Sequence, residues 1–396
     1  MSNIDRKTSV LAIMVAHCAG MVDMIALPIW VGILISQYHF NSQQAGMIVT
    51  LFLVGVTIAS LGSASLFNRF AAKPFIVSGF IVSALVFVCT YFNTALSSLS
   101  ILHFIGGLAT GIALSFTHGT IGLSKNPQRL FGIAGCAIGI FGIIFTTTIL
   151  VVLARYQGAY FFIALALIMA LAGVITAVFL PHIESKNHIA IKTSAPLLVP
   201  QKTEKFSKAI WLCMLGVTFL ALNQAMNVSF YERIGVDRQF DQDMISLALI
   251  IYAVTCIFPA PLAAYLQNKI NPLYVLCIGP LFQAAFSLIL TQTHHLILYI
   301  ISGAGIAFCI IFIHTFAFGL LAKMDPSGRA VAATPAMLMT GSAIGPILGG
   351  TLIQISGFQT IGFLTLGLGL LQIILFNLVR LILKPKQRIS INMPVS

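Results

Sequence analysis

The stretch Val10–Ser36, VLAIMVAHCAGMVDMIALPIWVGILIS, is an apolar run of membrane length with one carboxylate, Asp23, near its middle. A helix needs about 20 apolar residues to cross the hydrocarbon core of a bilayer, and this run exceeds that. A charge at the bilayer centre costs roughly 2.5–3.5 kcal/mol on insertion scales, so it persists where a cavity, a partner or a proton meets it. Asp23 is the leading functional candidate on that ground. The alternative is a carboxylate hydrogen-bonded to neighbouring helices for folding alone.

The same pattern recurs outward from this stretch. Spans are expected at 9–36, 43–66, 74–93, 97–122, 131–153, 159–180, 209–232, 244–266, 273–291, 295–321, 330–355 and 358–383. Composition agrees with twelve of them: the 396 residues are 59 % hydrophobic and 8 % charged, with mean hydropathy +1.02. Soluble domains carry roughly 25 % charged residues. The expected fold class is therefore an all-α membrane protein with twelve transmembrane helices. No small-residue cleavage site follows the first apolar core, so a removable signal peptide is not expected.

The net charge of +12 could suggest nucleic acid, but the placement of the charges argues for topology instead. With the N-terminus inside, every one of the 21 Lys and Arg except Arg155, Arg233 and Arg238 falls on the same side. That is the positive-inside pattern, and it places both termini in the cytoplasm of a cell (inner) membrane, with anionic lipid and no nucleic acid as the basic groups' partners. The seven cysteines all fall in expected spans without metal-ligand spacing, so neither a disulfide framework nor a metal or other cofactor is expected.

Residues 181–208 form the longest polar stretch, a cytoplasmic linker between an N-terminal bundle (1–180) and a C-terminal bundle (209–383), with a tail at 384–396. The halves resemble each other. Leu66-Phe67-Asn68-Arg69-Phe70 matches Leu266-Gln267-Asn268-Lys269-Ile270, Asn126-Pro127 matches Asp325-Pro326, and Gly135-Cys136-Ala137-Ile138-Gly139 matches Gly341-Ser342-Ala343-Ile344-Gly345. Each pair sits at the equivalent place in its half, as a duplication requires.

Two parallel six-span repeats are the arrangement of the major facilitator superfamily, and this sequence resembles that superfamily over nearly its whole length. The family's hallmark loop after span two is similar to Gly62-Ser63-Ala64-Ser65-Leu66-Phe67-Asn68-Arg69, with Asn68 in place of the usual Asp. The run Gly341 to Gly350, with Gly345, Pro346, Gly349 and Gly350, resembles a motif of the proton:drug antiporter branch, here in span eleven instead of span five. Physically, small residues let two helices approach closely and Pro346 bends the helix.

The resemblance implies a central cavity lined by spans one, four, seven and ten. Span seven there offers Asn223, Asn227 and Tyr231 at four-residue spacing, with Gln224 beside them, as solute contacts or as interhelical hydrogen bonds. Glu232 follows beside Arg233, an interfacial ion pair or, if turned inward, a counterpart to Asp23. His17, His103, His118 and His314 are intramembrane histidines; His118 and His314 are the favoured proton carriers, with packing as the alternative role. Trp30 and Trp211 are expected as interfacial anchors.

The resulting expectation is a monomeric, proton-coupled carrier of a small organic solute, efflux slightly favoured. Proton symport for uptake, and a sensor or assembly protein without turnover, stand as alternatives. No phosphate-binding glycine loop with Lys and Ser or Thr argues for ATP drive, and one carboxylate without a metal set or a nucleophile with its base argues against an enzyme.

Overall fold

A computed structural model describes residues 4, 6–66, 70–124, 127–181, 206–266, 269–325, 330 and 334–391, with side chains described for fewer of them near the edges of those stretches. Asn68, Arg69 and residues 182–205 of the linker lie outside the described residues. Every regular element among the described residues is a helix.

Among the described residues, twelve spans are long and apolar enough to cross a membrane. In chain order, spans one to six are Lys7–Ser36, Ser42–Ser63, Ala72–Tyr91, Leu96–Gly122, Leu130–Arg155 and Tyr160–Phe179. Spans seven to twelve are Lys208–Ser229, Gln242–Leu266, Pro272–Gln292, Leu296–Met324, Ala336–Ser356 and Gln359–Leu383. The last helix continues past the expected end of its span to Ile391, into the charged segment that was read as a tail. The chain divides into two units, Met1–Gln201 and Lys202–Ser396.

The duplication shows in backbone detail that the motif matches do not reach. Spans two, three and four begin at Ser42, Ala72 and Leu96 in the first unit and at Gln242, Pro272 and Leu296 in the second, the same spacing each time. In the corner before span two, His39 has φ 56° and its equivalent Gln239 has φ 59°, a left-handed conformation uncommon outside glycine. The next residue turns back in both halves: Phe40 N–H donates to Leu34 O at 3.2 Å, and Phe240 N–H to Gly235 O at 3.1 Å. Asn41 Oδ1 then accepts from Gln44 N–H at 2.8 Å, and Asp241 Oδ1 from Asp243 N–H at 2.9 Å, each satisfying an orphan donor of the first helical turn.

Span one is not the continuous helix its sequence suggests. It breaks into Lys7–Gly20 and Asp23–Ser36, with Met21 and Val22 in a turn between them. Asp23 is the first residue of the second half, which puts its carboxylate at the helix end where backbone N–H groups lack intrahelical partners. Around the break the ladder tightens to bonds three residues apart, Val22 N–H to Ala19 O at 3.3 Å and Met24 N–H to Met21 O at 3.2 Å. Gly20 closes the first half against span four, where a Cβ would sit 2.8 Å from Leu114 Cδ1.

In the first unit the core is an aromatic box. Trp30 is fully buried among Phe52, Phe87, Phe161 and Phe162, so it is a packing residue and not the interfacial anchor expected, whereas Trp211 is 58 % exposed. In the second unit the core runs through Val217, Leu220, Ile310, Ile313, Phe376 and Val379.

Span eleven lies directly on the backbone of span seven. A Cβ on Gly341 would meet Thr218 O, one on Gly345 would sit 2.7 Å from Met226 N, and one on Gly349 would sit 2.9 Å from Met226 Cγ. These three glycines, four residues apart, do what small residues at a helix interface do. In span five, by contrast, Gly132 and Gly135 have no atom within 4 Å of such a Cβ.

Candidate functional site

Asp23 is 2 % exposed and begins the second half of span one. Its Oδ1 has no hydrogen-bond partner among the described residues. No ion pair to it occurs among the described residues. The carboxylate thus sits at the positive end of a half-helix, with N–H groups on one side and one oxygen unanswered. That arrangement can hold a negative charge locally and still accept a proton or a donor from outside.

Six residues earlier on the same span, His17 Nδ1 lies 3.0 Å from His118 Nε2 of span four. The ring centroids are 5.2 Å apart, and Phe131 of the helix carrying span five stands edge-on to His118 at 5.5 Å. One of the two facing nitrogens must carry the hydrogen and the other must accept it. The pair therefore keeps its bond when neutral or singly charged and loses it when doubly charged. His17 was not favoured over the other histidines from the sequence; nothing in the spacing of two residues 101 apart could have paired them.

His103 is a different case. Trp30 Nε1–H points at its Nε2 at 3.1 Å, so that nitrogen is the acceptor, and Nδ1–H is left to donate to Leu99 O at 2.7 Å. Both ring nitrogens are consumed and the imidazole is neutral in this arrangement. His314 stacks on Phe318 with centroids 5.0 Å apart; its ring faces the Ile310 carbonyl one turn back, and Nδ1 closes no hydrogen bond.

In the second unit the span-seven stripe turns out to be mostly wall. Asn227 is fully buried: its Nδ2 donates to Asn223 O at 2.7 Å and Thr365 Oγ1 at 3.0 Å, and its Oδ1 accepts from Ser287 Oγ at 2.6 Å. Asn223 is equally buried on the same face. Of the two expected roles, solute contact and interhelical hydrogen bonding, Asn227 makes the second in this structure, to Ser287 of span nine and Thr365 of span twelve.

Tyr231 begins a short helix, Tyr231–Asp237, after a break at Phe230. It is 1 % exposed, donates to Tyr299 O at 3.4 Å and receives the Tyr299 hydroxyl on its own carbonyl at 2.9 Å. Its ring fills the space over Gly303. Only Gln224 of the expected stripe is partly exposed, with Nε2 at 3.5 Å from the Tyr252 hydroxyl of span eight. Glu232 has Oε2 at 4.0 Å from Arg233 Nε, too long for a hydrogen bond, and its side chain is 15 % exposed. Among the described residues no group of three or more His, Cys, Asp or Glu is placed to hold a metal ion.

The sequence model of the Major Facilitator Superfamily matches the chain twice, over residues 12–231 and 213–393. The chain belongs to the major facilitator superfamily. As a member it is a multi-pass membrane protein and a secondary transporter rather than an enzyme. Among curated proteins none matches the sequence. Solved structures of the superfamily's fold do match. A bacterial homolog of the human lysosomal transporter Spinster, inward-facing and occupied, superposes with TM-score 0.75 at 12 % identity over 96 % of this chain and 98 % of that one. The same homolog unoccupied gives 0.72 at 13 % over 93 % and 96 %, and the nucleoside transporter NupG gives 0.73 at 12 % over 93 % and 99 %. At such identities the likeness establishes the fold, and the solute has to be argued from this superfamily member's own residues.

Proposed function

We propose that the protein is a proton-coupled carrier that moves a small organic solute across the cell membrane by alternating access, with Asp23 taking up and releasing the driving proton. The unanswered Oδ1 of Asp23 at the break in span one carries this reading. While ionised, the carboxylate is held by the N–H groups at the half-helix start but leaves one oxygen in need of water or a donor. An uncompensated charge shut away from water is costly, so the ionised form favours a conformation open to solvent. Protonation removes the charge, lowers the cost of closing around Asp23, and so links proton binding to the conformational step.

The His17–His118 pair lies on the other side of the break in span one, six residues before Asp23, and is the second stop for the proton. His314 is the corresponding candidate in the second unit. Gln224, backed by Tyr252, is the solute contact that the geometry favours there, and Glu232, largely buried 4.0 Å from Arg233, is the second unit's carboxylate counterpart to Asp23. Outward transport fits the apolar, Phe-rich spans and the glycine run of span eleven. The one-sided distribution of basic residues supports cytoplasmic termini, and the carrier acts as a monomer.

The test is thermal unfolding of the detergent-solubilised protein against a panel of organic compounds, since a ligand that binds the native state raises the melting temperature by mass action. Hits are then followed into proteoliposomes. Counterflow of labelled solute is expected; binding without exchange would assign the protein to sensing instead.

A further inference from the structure

In the second unit, spans seven, nine and twelve meet along a polar seam. Its rung at Asn227 is closed by Ser287 and Thr365. Toward the Lys208 end of span seven the seam is open. Asn223 Nδ2 and Oδ1, Gln283 Oε1, and Gln372 Nε2 and Oε1 have no hydrogen-bond partner among the described residues, and all three residues are 0 % exposed.

The contacts around them place the three amides within one helical turn of each other. Gln283 Nε2 donates to Leu220 O at 3.4 Å, and Leu220 lies one turn before Asn223 on span seven. Span twelve runs antiparallel to span seven: Thr365 bonds Asn227, and the Phe376 ring would lie 2.6 Å from a Cβ on Gly216. Gln372 shares the stripe of those two residues, seven after Thr365 and four before Phe376, which sets it level with Leu220.

A buried amide without a partner is expensive, and three around one seam point to a ligand. The unanswered atoms are two nitrogen donors and three oxygen acceptors. A bare monovalent cation would answer the oxygens and strand both nitrogens, whereas water both donates and accepts. We propose that Asn223, Gln283 and Gln372 enclose an internal hydration site, a small cluster of ordered water molecules that ties spans seven, nine and twelve together. Buried waters of this kind make about three hydrogen bonds each to groups the protein leaves unsatisfied. The site accounts for two amides of the second unit that solute recognition does not use, one on span nine and one on span twelve.

The test compares melting temperatures of the full-length protein in lipid nanodiscs. Gln372→Leu removes one wall and leaves the other two amides demanding partners, so a fall of several degrees is expected. The triple variant Asn223→Leu, Gln283→Leu, Gln372→Leu removes the demand altogether and is expected to recover most of that loss. A rise with Gln372→Leu alone would mark a dry, orphaned amide and overturn the proposal. A sodium- or potassium-dependent rise in the unsubstituted protein that Gln372→Leu abolishes would overturn it in favour of a cation. Should the variants not fold, a cryo-EM map of the unsubstituted protein decides: density between the three amides is expected, and amides bonded directly to one another with none between them would end the idea.

Discussion

Trp30 donates its indole N–H to Nε2 of His103 at 3.1 Å, and His103 passes its other ring hydrogen on to the Leu99 carbonyl at 2.7 Å. In the second unit the equivalent of Trp30 is Tyr231, whose hydroxyl reaches the Tyr299 carbonyl, the equivalent of Leu99, across Gly303, the equivalent of His103. One half thus bridges with an imidazole what the other spans with a longer side chain over a glycine. His103→Phe leaves the indole N–H buried without an acceptor and should destabilise by about 1–3 kcal/mol. Trp30→Phe combined with His103→Phe should cost less than the sum of the single changes in thermal unfolding, and strict additivity would show that the bond contributes nothing.

Asp23→Asn keeps size and hydrogen bonding but removes the titration. Accumulation of solute driven by a pH gradient should be lost in proteoliposomes, while exchange of labelled for unlabelled solute persists. Full gradient-driven accumulation in the variant would take Asp23 out of the mechanism.

His17→Gln and His118→Gln each break the same N···N contact. Both should alter the pH dependence of transport in the same sense, and the double variant should resemble either single one, because residues acting as a unit are not additive. Independent, summing effects would mean that the rings do not share a proton.

Gly345→Val forces side-chain atoms onto the Met226 backbone and should destabilise the second unit by about 1–3 kcal/mol through overpacking. Gly135→Ala meets open space and should be neutral or stabilising by up to about 1 kcal/mol from helix propensity. Equal losses in melting temperature at the two positions would contradict the packing described for spans five and eleven.

Asn227→Ala strands Ser287 and Thr365 and should lower stability while leaving apparent solute affinity unchanged. Gln224→Ala should do the reverse. A ligand-titration series on both variants separates the two roles, and an affinity loss confined to Asn227→Ala would restore the sequence-based assignment.

Hydropathy and repeated motifs were sufficient for the fold, because a membrane span is written in composition over about 20 residues and the second half echoes the first. The repeat ran deeper than the motifs suggested, since His39 and Gln239 share no chemistry and only a backbone angle reveals them as equivalents. Asp23 was legible because a lone intramembrane carboxylate needs no neighbour to be noticed. The break beside it was not, since apolar composition continues through Met21 and Val22. Four-residue spacing placed Asn223 and Asn227 on one face but could not say that spans nine and twelve cover it. His17 and His118 had to wait for the fold to bring them together.

The unequal seating of spans five and eleven makes the two halves mechanically distinct despite their common ancestry. Span eleven is pressed on its neighbour over about two turns, against backbone at Gly341 and Gly345 and against the Met226 and Phe230 side chains at Gly349, so the second half resists shear there. In span five Gly142 is seated, with a Cβ there 3.2 Å from Ile25 Cδ1, but Gly132 and Gly135 make no such approach to the described residues. Rigidifying substitutions meant to trap a single conformer therefore have room at Gly132 and Gly135 that Gly341 and Gly345 lack.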